Sequence, residues 1–181
     1  WPVLWTHHVS GHASPAKRFG PLQNGVDWHN TSGLGQDLPY DVPNYALSYV
    51  EAADDVPTGW WRAVGHTMTA FPLESFVDEL AAAGRKDPLE VRRRLLAGNP
   101  RALGVLNLAA EKAGWGSPLP KGRARGIAVV PAFGSYAAMV AEVSVAKGAI
   151  KVHRLVSAID CGLVVNPGIV ESQLESGALF G

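Results

Sequence analysis

Four short stretches of the chain carry side chains that could do chemistry. The first is GWWRAVGH, residues 59–66. Gly59 and Gly65 permit a backbone turn with positive φ or close approach by a ligand. Between them, Trp60 and Trp61 offer flat amphipathic surfaces. Arg62 adds a planar cation that can hydrogen-bond oxyanions or stack on a heterocycle. A helix start follows, where backbone N–H groups point outward. This combination suits a flat, anionic, heteroaromatic ligand, although two core tryptophans in a turn would give the same pattern.

The other three stretches say less. In HHVSGH, His7, His8 and His12 are metal-ligand types. Neighbours in a strand point to opposite faces, however, and no carboxylate or Cys lies nearby, so solvated or packed histidines are the better reading. GLGQD, with Gly33 and Gly35, is a fragment of a dinucleotide fingerprint that lacks the third Gly and follows a loop, so a Rossmann reading fails. The fourth is a strand ending in Asp160-Cys161-Gly162 before a helix opened by Asn166-Pro167. Strand ends and helix N-termini are places where ligands are held. Asp160 could be a base, Cys161 a nucleophile and Asn166 a cap. Without a His in the stretch, Cys161 reads better as a small hydrophobe.

The elements that must position these residues are those of a mixed chain. Its 181 residues suffice for one compact domain or one and a half, and its formal net charge is zero, so nothing points to nucleic acid or an anionic membrane. No apolar run approaches a membrane span, and the single Cys161 excludes a disulfide framework. The chain starts at Trp1 in a strand-like run and stops at Gly181 inside a helical one, as an internal fragment of a longer protein would. Pro2 to Val9 and Asn44 to Val50 read as strands, with a long surface arm from Gly11 to Pro39 between them. Pro72 suits a first helical position, with Leu73, Phe76, Val77 and Leu80 as the apolar stripe and Gly84 as the stop. Asp87-Pro88 starts a second helix, with Leu89, Leu95 and Leu96 inward and Arg92, Arg93 and Arg94 mostly outward, as the wet face of RKDPLEVRRR. Asn99-Pro100 starts a third, with Leu103, Leu106 and Ala110 inward and Gly114 as its end.

After the link GSPLPKGRARG the period becomes two. Ala137 to Val145 and Ile150 to Ala158 alternate around Lys147-Gly148, which predicts an antiparallel hairpin. The expected class is α+β, with helices packed on mixed sheet. The expected parts are residues 1–120 (strands, arm, three helices) and 121–181 (hairpin plus helix, truncated). A last helix with Ile169, Val170 and Leu174 on one face needs a partner layer, so the isolated chain is expected to expose apolar surface and to self-associate.

An ordered series of stretches resembles one known family: DLPYDVPNY, VPTGWWRAVGHTMTAFPLESFVDELAAAGRKDPLEVRRRLL, AAEKAGWGSPLPKGRARGIAV, SYAAMVAEVSV and VHRLVSAIDCGLVVNPGIVESQLESG. The resemblance covers nearly the whole chain. It is to the molybdopterin-binding large (beta) subunit of isoquinoline 1-oxidoreductase-like enzymes, in the xanthine dehydrogenase and aldehyde oxidase class. The resemblance implies a molybdenum cofactor-binding domain. It places Trp61, Arg62, Ala63, Val64 and Gly65 at the molybdopterin end of the cofactor. Relatives of xanthine dehydrogenase type have Gly and Phe where this chain has Ala63 and Val64. The resemblance further implies molybdopterin cytosine dinucleotide with molybdenum, and a 2Fe-2S small (alpha) subunit as partner. The implied reaction is oxidation of N-heteroaromatics or aldehydes with water-derived oxygen, in a periplasmic or cytoplasmic bacterial parent. The family's catalytic glutamate motif (Gly-Glu-Pro-Gly-like) and its Gly-Gln-Gly loop do not occur in these residues, so no catalytic residue is assigned and the fragment alone is expected to be inactive. The competing readings are a non-catalytic scaffold that folds against a partner without cofactor, and an unrelated ligand-binding α+β domain.

Overall fold

The structure is a computed structural model, and it describes residues 1–12, 24–35, 37–52, 59 and 61–180. The elements run β1 (Trp5–His12), β2 (Tyr45–Ala52), α1 (Gly65–Ala83), α2 (Pro88–Leu95), α3 (Pro100–Ala113), β3 (Arg123–Ala132), β4 (Ser135–Ala146), β5 (Ala149–Asp160) and α4 (Pro167–Phe180). The class is α+β. Two compact units divide the chain, Trp1–Asn99 with Val130–Ala132, and Pro100–Val129 with Phe133–Gly181.

In the first unit β1 and β2 pair in parallel, from Trp5↔Tyr45 to His12↔Ala52. Buried Trp5 meets Tyr45 and Phe76 edge-on, with centroids 6.2 and 5.0 Å away. The arm expected from Gly11 to Pro39 is corrected where it is described. Gly11 and His12 belong to β1, and residues 27–35 form a packed series of turns with Asp27, Thr31 and Leu34 buried. The carboxylate of Asp27 organises these turns by accepting from the backbone N–H of His29 at 3.0 Å and of Asn30 at 3.4 Å. Residues 13–23 of that expected arm, and Trp60, lie outside the described residues.

Helix α1 starts at Gly65, so Pro72 stands inside it instead of opening it. Pro72 forfeits one hydrogen bond to the preceding turn. Tertiary contacts made by Gly65, His66 and Thr69 carry the helix N-terminal of it, overriding the local signal. The inward stripe is Thr69, Leu73, Val77 and Ala81.

A second correction concerns Arg92, which is fully buried. Its Nε donates to Glu74 Oε2 at 3.0 Å, Nη1 to Asp78 Oδ1 at 2.6 Å and Nη2 to the Glu74 carbonyl at 2.9 Å. Tyr40 Oη donates to the other Glu74 oxygen at 2.5 Å. Burial first, and then the charge of Glu74, pushes the Tyr40 phenol well above its usual range. The Glu74 and Asp78 charges hold Arg92 protonated against its desolvation. On a helix, Arg92 lies three residues after Leu89 and four before Leu96, and so on the apolar stripe.

In the second unit, α3 buries Ala102, Val105, Leu106, Ala109, Ala110 and Ala113. Strands β3, β4 and β5 lie in that order in one sheet. The expected hairpin is β4 with β5, antiparallel, closed by Ala146↔Ala149 with a bulge at Glu142/Val143. Lys147 at φ 51 and Gly148 at φ 78 give the twin positive angles of a tight hairpin turn. Strand β3 has no clear signal in the sequence, because its start, RARG, continues the polar link before it. The C-terminal carbonyls of α3 are satisfied by cations. Arg154 Nη2 donates to Lys112 O at 2.8 Å, and Arg125 Nη1 to Gly114 O at 2.7 Å. Helix α4 has no buried residue, and Ile169, Leu179 and Phe180 are exposed.

Replacing Arg92 with Leu would leave Glu74 charged and buried without its cation. The substitution is expected to cost about 3–5 kcal/mol, read as a lower chemical-denaturation midpoint of the full chain at unchanged slope. A change below about 1 kcal/mol would show that the cluster does not hold the unit together.

Candidate functional site

A cavity of about 670 Å³ opens in the first unit between β1, the 29–34 turn and the start of α1. Trp61, Val64 and Gly65 line it, together with His7, His8, His12, Asn30 and Met68. Of the five residues placed at a site from the sequence, these three therefore share one concave surface. Arg62 is exposed and, with Ala63, is not among the lining residues.

The turn that carries them is backbone-strained. Ala63 has φ 62, and Val64 has φ 51 with ψ −129, positive-φ conformations that a β-branched residue rarely adopts. Such residues cost on the order of 1–3 kcal/mol each and persist only when their surroundings fix them. Here the fixing groups are identifiable. Val64 N donates to Trp61 O at 3.1 Å, His66 N to Ala63 O at 3.1 Å, and the Thr67 hydroxyl to Arg62 O. Gly65 packs so closely that a Cβ built on it would stand 1.8 Å from the His29 carbonyl oxygen. One turn on, Thr69 Oγ1 donates to Ser32 O at 2.5 Å. His66 Nε2 lies 3.6 Å from Asp37 Oδ2, which accepts from Gly33 N at 2.7 Å. Burial lowers the His66 imidazole, an effect that Asp37 partly opposes.

The remaining sequence candidates separate. His7, His8 and His12 reach the cavity, yet no cluster of metal-ligand side chains occurs among the described residues. His8 Nδ1 is 2.5 Å from Ser48 Oγ, its register neighbour on β2. Burial, and then His8, lowers His7. In the second unit Asp160 is locked by Arg101, whose Nε and Nη2 reach its two oxygens at 2.9 and 2.7 Å. Those hydrogen bonds, with one from Gly162 N, bring the carboxyl down to about 2. A carboxylate so acidic does not serve as a base near neutral pH, which overturns that option. Cys161 is half-buried, and Asn166 caps α4 by accepting from Ile169 N at 3.2 Å. Sequence reasoning missed the 27–34 turn as a wall. The Asp27-x-His29-Asn30 spacing, an Asx-type turn, was the available signal.

Comparisons with known proteins bear on this geometry. A molybdopterin cofactor-binding domain model matches residues 21–96, which takes in the strained turn and the wall opposite it. A second model of the same description matches residues 107–181. The chain belongs to the molybdopterin cofactor-binding domains. The beta subunit of isoquinoline 1-oxidoreductase from Brevundimonas diminuta is 30% identical over 153 residues, 82% of this chain and 20% of that protein. The B-type subunit of nicotinate dehydrogenase from Pseudomonas putida is 32% identical over 163 residues, 78% of this chain and 13% of that protein. A membrane-bound aldehyde dehydrogenase (pyrroloquinoline-quinone) of Gluconacetobacter polyoxogenes is 32% identical over 187 residues, 88% of this chain and 24% of that protein. The chain thus spans a quarter or less of the length of these relatives. No solved structure matches it.

The lining fits a molybdopterin group. Trp61, 64% exposed, Met68 and Pro72 are apolar walls for a flat ring, while Ser10, Asn30 and Thr67 supply hydrogen-bonding groups. The positive end of α1 lies at the rim through Gly65 and Thr67, and favours anionic groups. Gly65→Ala, which drives a methyl into the His29 carbonyl, is expected to cost about 3 kcal/mol or more and to lower the thermal midpoint. A wild-type midpoint would show that the two walls are not in register.

Asp160 gives a pH signature. Its folded value, about 2, lies below the usual carboxylate value of roughly 3.9, so its contribution is complete above that value and is lost as pH falls toward 2. An NMR titration of the Asp160 carboxyl should have its midpoint near 2, and Arg101→Gln should return it toward about 4.

Proposed function

We propose that this chain is the part of a molybdenum hydroxylase large subunit that walls the pterin end of its cofactor, and that the cofactor is molybdopterin cytosine dinucleotide. The observation that carries the reading is the strained Trp61–Gly65 turn, held against the 29–34 turn at the mouth of a cavity of about 670 Å³. In this reading Trp61 supplies a flat face, Arg62 a cation for the cofactor's oxyanions, and Ala63 to Gly65 the main chain that lets a planar group approach closely. The bound cofactor supplies the two-electron redox chemistry. The chain's residues bind it, orient it and exclude water from one side.

The parent would then be an oxidoreductase acting on an N-heteroaromatic or an aldehyde, with oxygen derived from water. Two relatives named for isoquinoline and nicotinate favour the heteroaromatic class. A 2Fe-2S small subunit would take the electrons, consistent with relatives whose names mark them as single subunits of larger enzymes. The exposed apolar residues of α4 and of the 163–165 loop supply surface for a partner layer or for self-association.

The test uses the intact parent purified from its host. Molybdenum by elemental analysis and a cytosine-containing pterin nucleotide on extraction are expected together. Arg62→Ala should lower cofactor content or specific activity about tenfold or more with an unchanged thermal midpoint. Unchanged activity and molybdenum content would remove Arg62 from the site. Absence of both molybdenum and pterin in the wild type would favour the cofactor-free scaffold.

A further inference from the structure

The 28–35 turn separates two cavities in the first unit. One face carries His29, Asn30 and Leu34 toward the pocket described above. The other carries Trp28, Thr31 and Gly35 toward a second cavity of about 500 Å³, which is also lined by Val26, Asp37 and Leu47. Neighbouring side chains thus serve opposite sides. Trp28 stacks on His29 with centroids 3.5 Å apart, although each lines a different cavity.

The second cavity has the parts of a small-molecule site. Trp28 is half-exposed and pinned by its stack, which presents an aromatic surface already ordered. Val26 and Leu47 are apolar walls. Asp37 is a fixed carboxylate at the edge. Its Oδ2 is held by Gly33 N at 2.7 Å and faces His66 Nε2 at 3.6 Å. Its Oδ1 lies beside Gly35, 4.0 Å from where a Cβ would stand, so glycine leaves that oxygen uncovered on the cavity side. Among the described residues, no Lys or Arg lines this cavity. An aromatic face, two aliphatic walls and one oriented carboxylate make a few polar groups converge in an apolar concavity. The charge selects a cation or a strong N–H donor.

We propose that this second cavity is a binding site for a small planar aromatic cation, which stacks on Trp28 and pairs its charged nitrogen with Asp37. Because Asp37 also contacts Gly33 and His66, occupancy there acts on the first turn of α1, whose residues line the other pocket.

Titration of the full ¹⁵N-labelled chain with benzamidinium, followed at the indole N–H signals and assigned with Trp28→Phe, tests this. Saturable movement of the Trp28 signal is expected. Binding of the neutral isostere benzamide, or binding of benzamidinium to Asp37→Asn, should be about tenfold weaker, and benzoate should not bind. Leu47→Trp, which fills the cavity and keeps Asp37, should abolish the response while the other amide signals stay dispersed, and this covers the case in which Asp37→Asn fails to fold. Equal affinity for the three probes, movement confined to the Trp61 signal, or no saturable movement would overturn the proposal.

Discussion

A guanidinium with no solvent exposure is the strongest constraint on the first unit. Removing Arg92 from water costs several kcal/mol, and that cost is recovered only if its donors meet acceptors at once. Glu74 and Asp78 on α1, the Glu74 carbonyl and, through Glu74, the Tyr40 hydroxyl meet that demand. The geometry allows little slack, because two helices and the loop before β2 must present their oxygens together. Apolar packing of Leu73, Val77 and Leu89 would tolerate a sliding of α1 against α2; this cluster does not. It therefore fixes α1 along its length, and with it the position of its first turn.

That first turn is where the fixed helix matters. A short, strained segment can stand at a cavity mouth only if something rigid holds both its ends. Gly65 abuts the His29 carbonyl, and Thr69 and His66 tie the following turn to Ser32 and Asp37. Ala63 and Val64, just outside the helix, are left to absorb the mismatch as positive φ. Strain is thereby concentrated in the residues that face a ligand, and the helix behind them remains regular.

Much of this was legible from residues and some was not. The hairpin was readable because two alternating runs of equal length meet at Lys147-Gly148, and no other register keeps both faces consistent. The cap at Asp87 was readable as well, because its chemistry is local. Arg92 was misread because charge was weighed above position. The spacing from Leu89 to Leu96 placed it inward, and Glu74 and Asp78, one turn apart, were its waiting partners. Pro72 misled in the opposite way, since a local start signal lost to contacts made between residues far apart in sequence, such as Thr69 with Ser32. The wall made by residues 27–34 was hidden because side-chain-to-backbone turns leave no period to detect.

The disposition of carboxylates bears on what kind of part this chain is. Asp160 is held by a bidentate Arg101, Glu142 by Arg125 at 2.8 Å, and Glu74 by Arg92 and Tyr40. Each is kept ionised and committed to a structural partner, the opposite of the raised, poised carboxyl that proton transfer near neutral pH demands. Asp27 spends its oxygens on the N–H groups of His29 and Asn30 and on the Asn30 amide. The pocket is correspondingly lined by a tryptophan, imidazoles, hydroxyls, an amide and main chain, with no carboxylate among its described lining residues. Such a surface binds and orients a planar anionic group, and leaves the movement of protons to chemistry outside these walls.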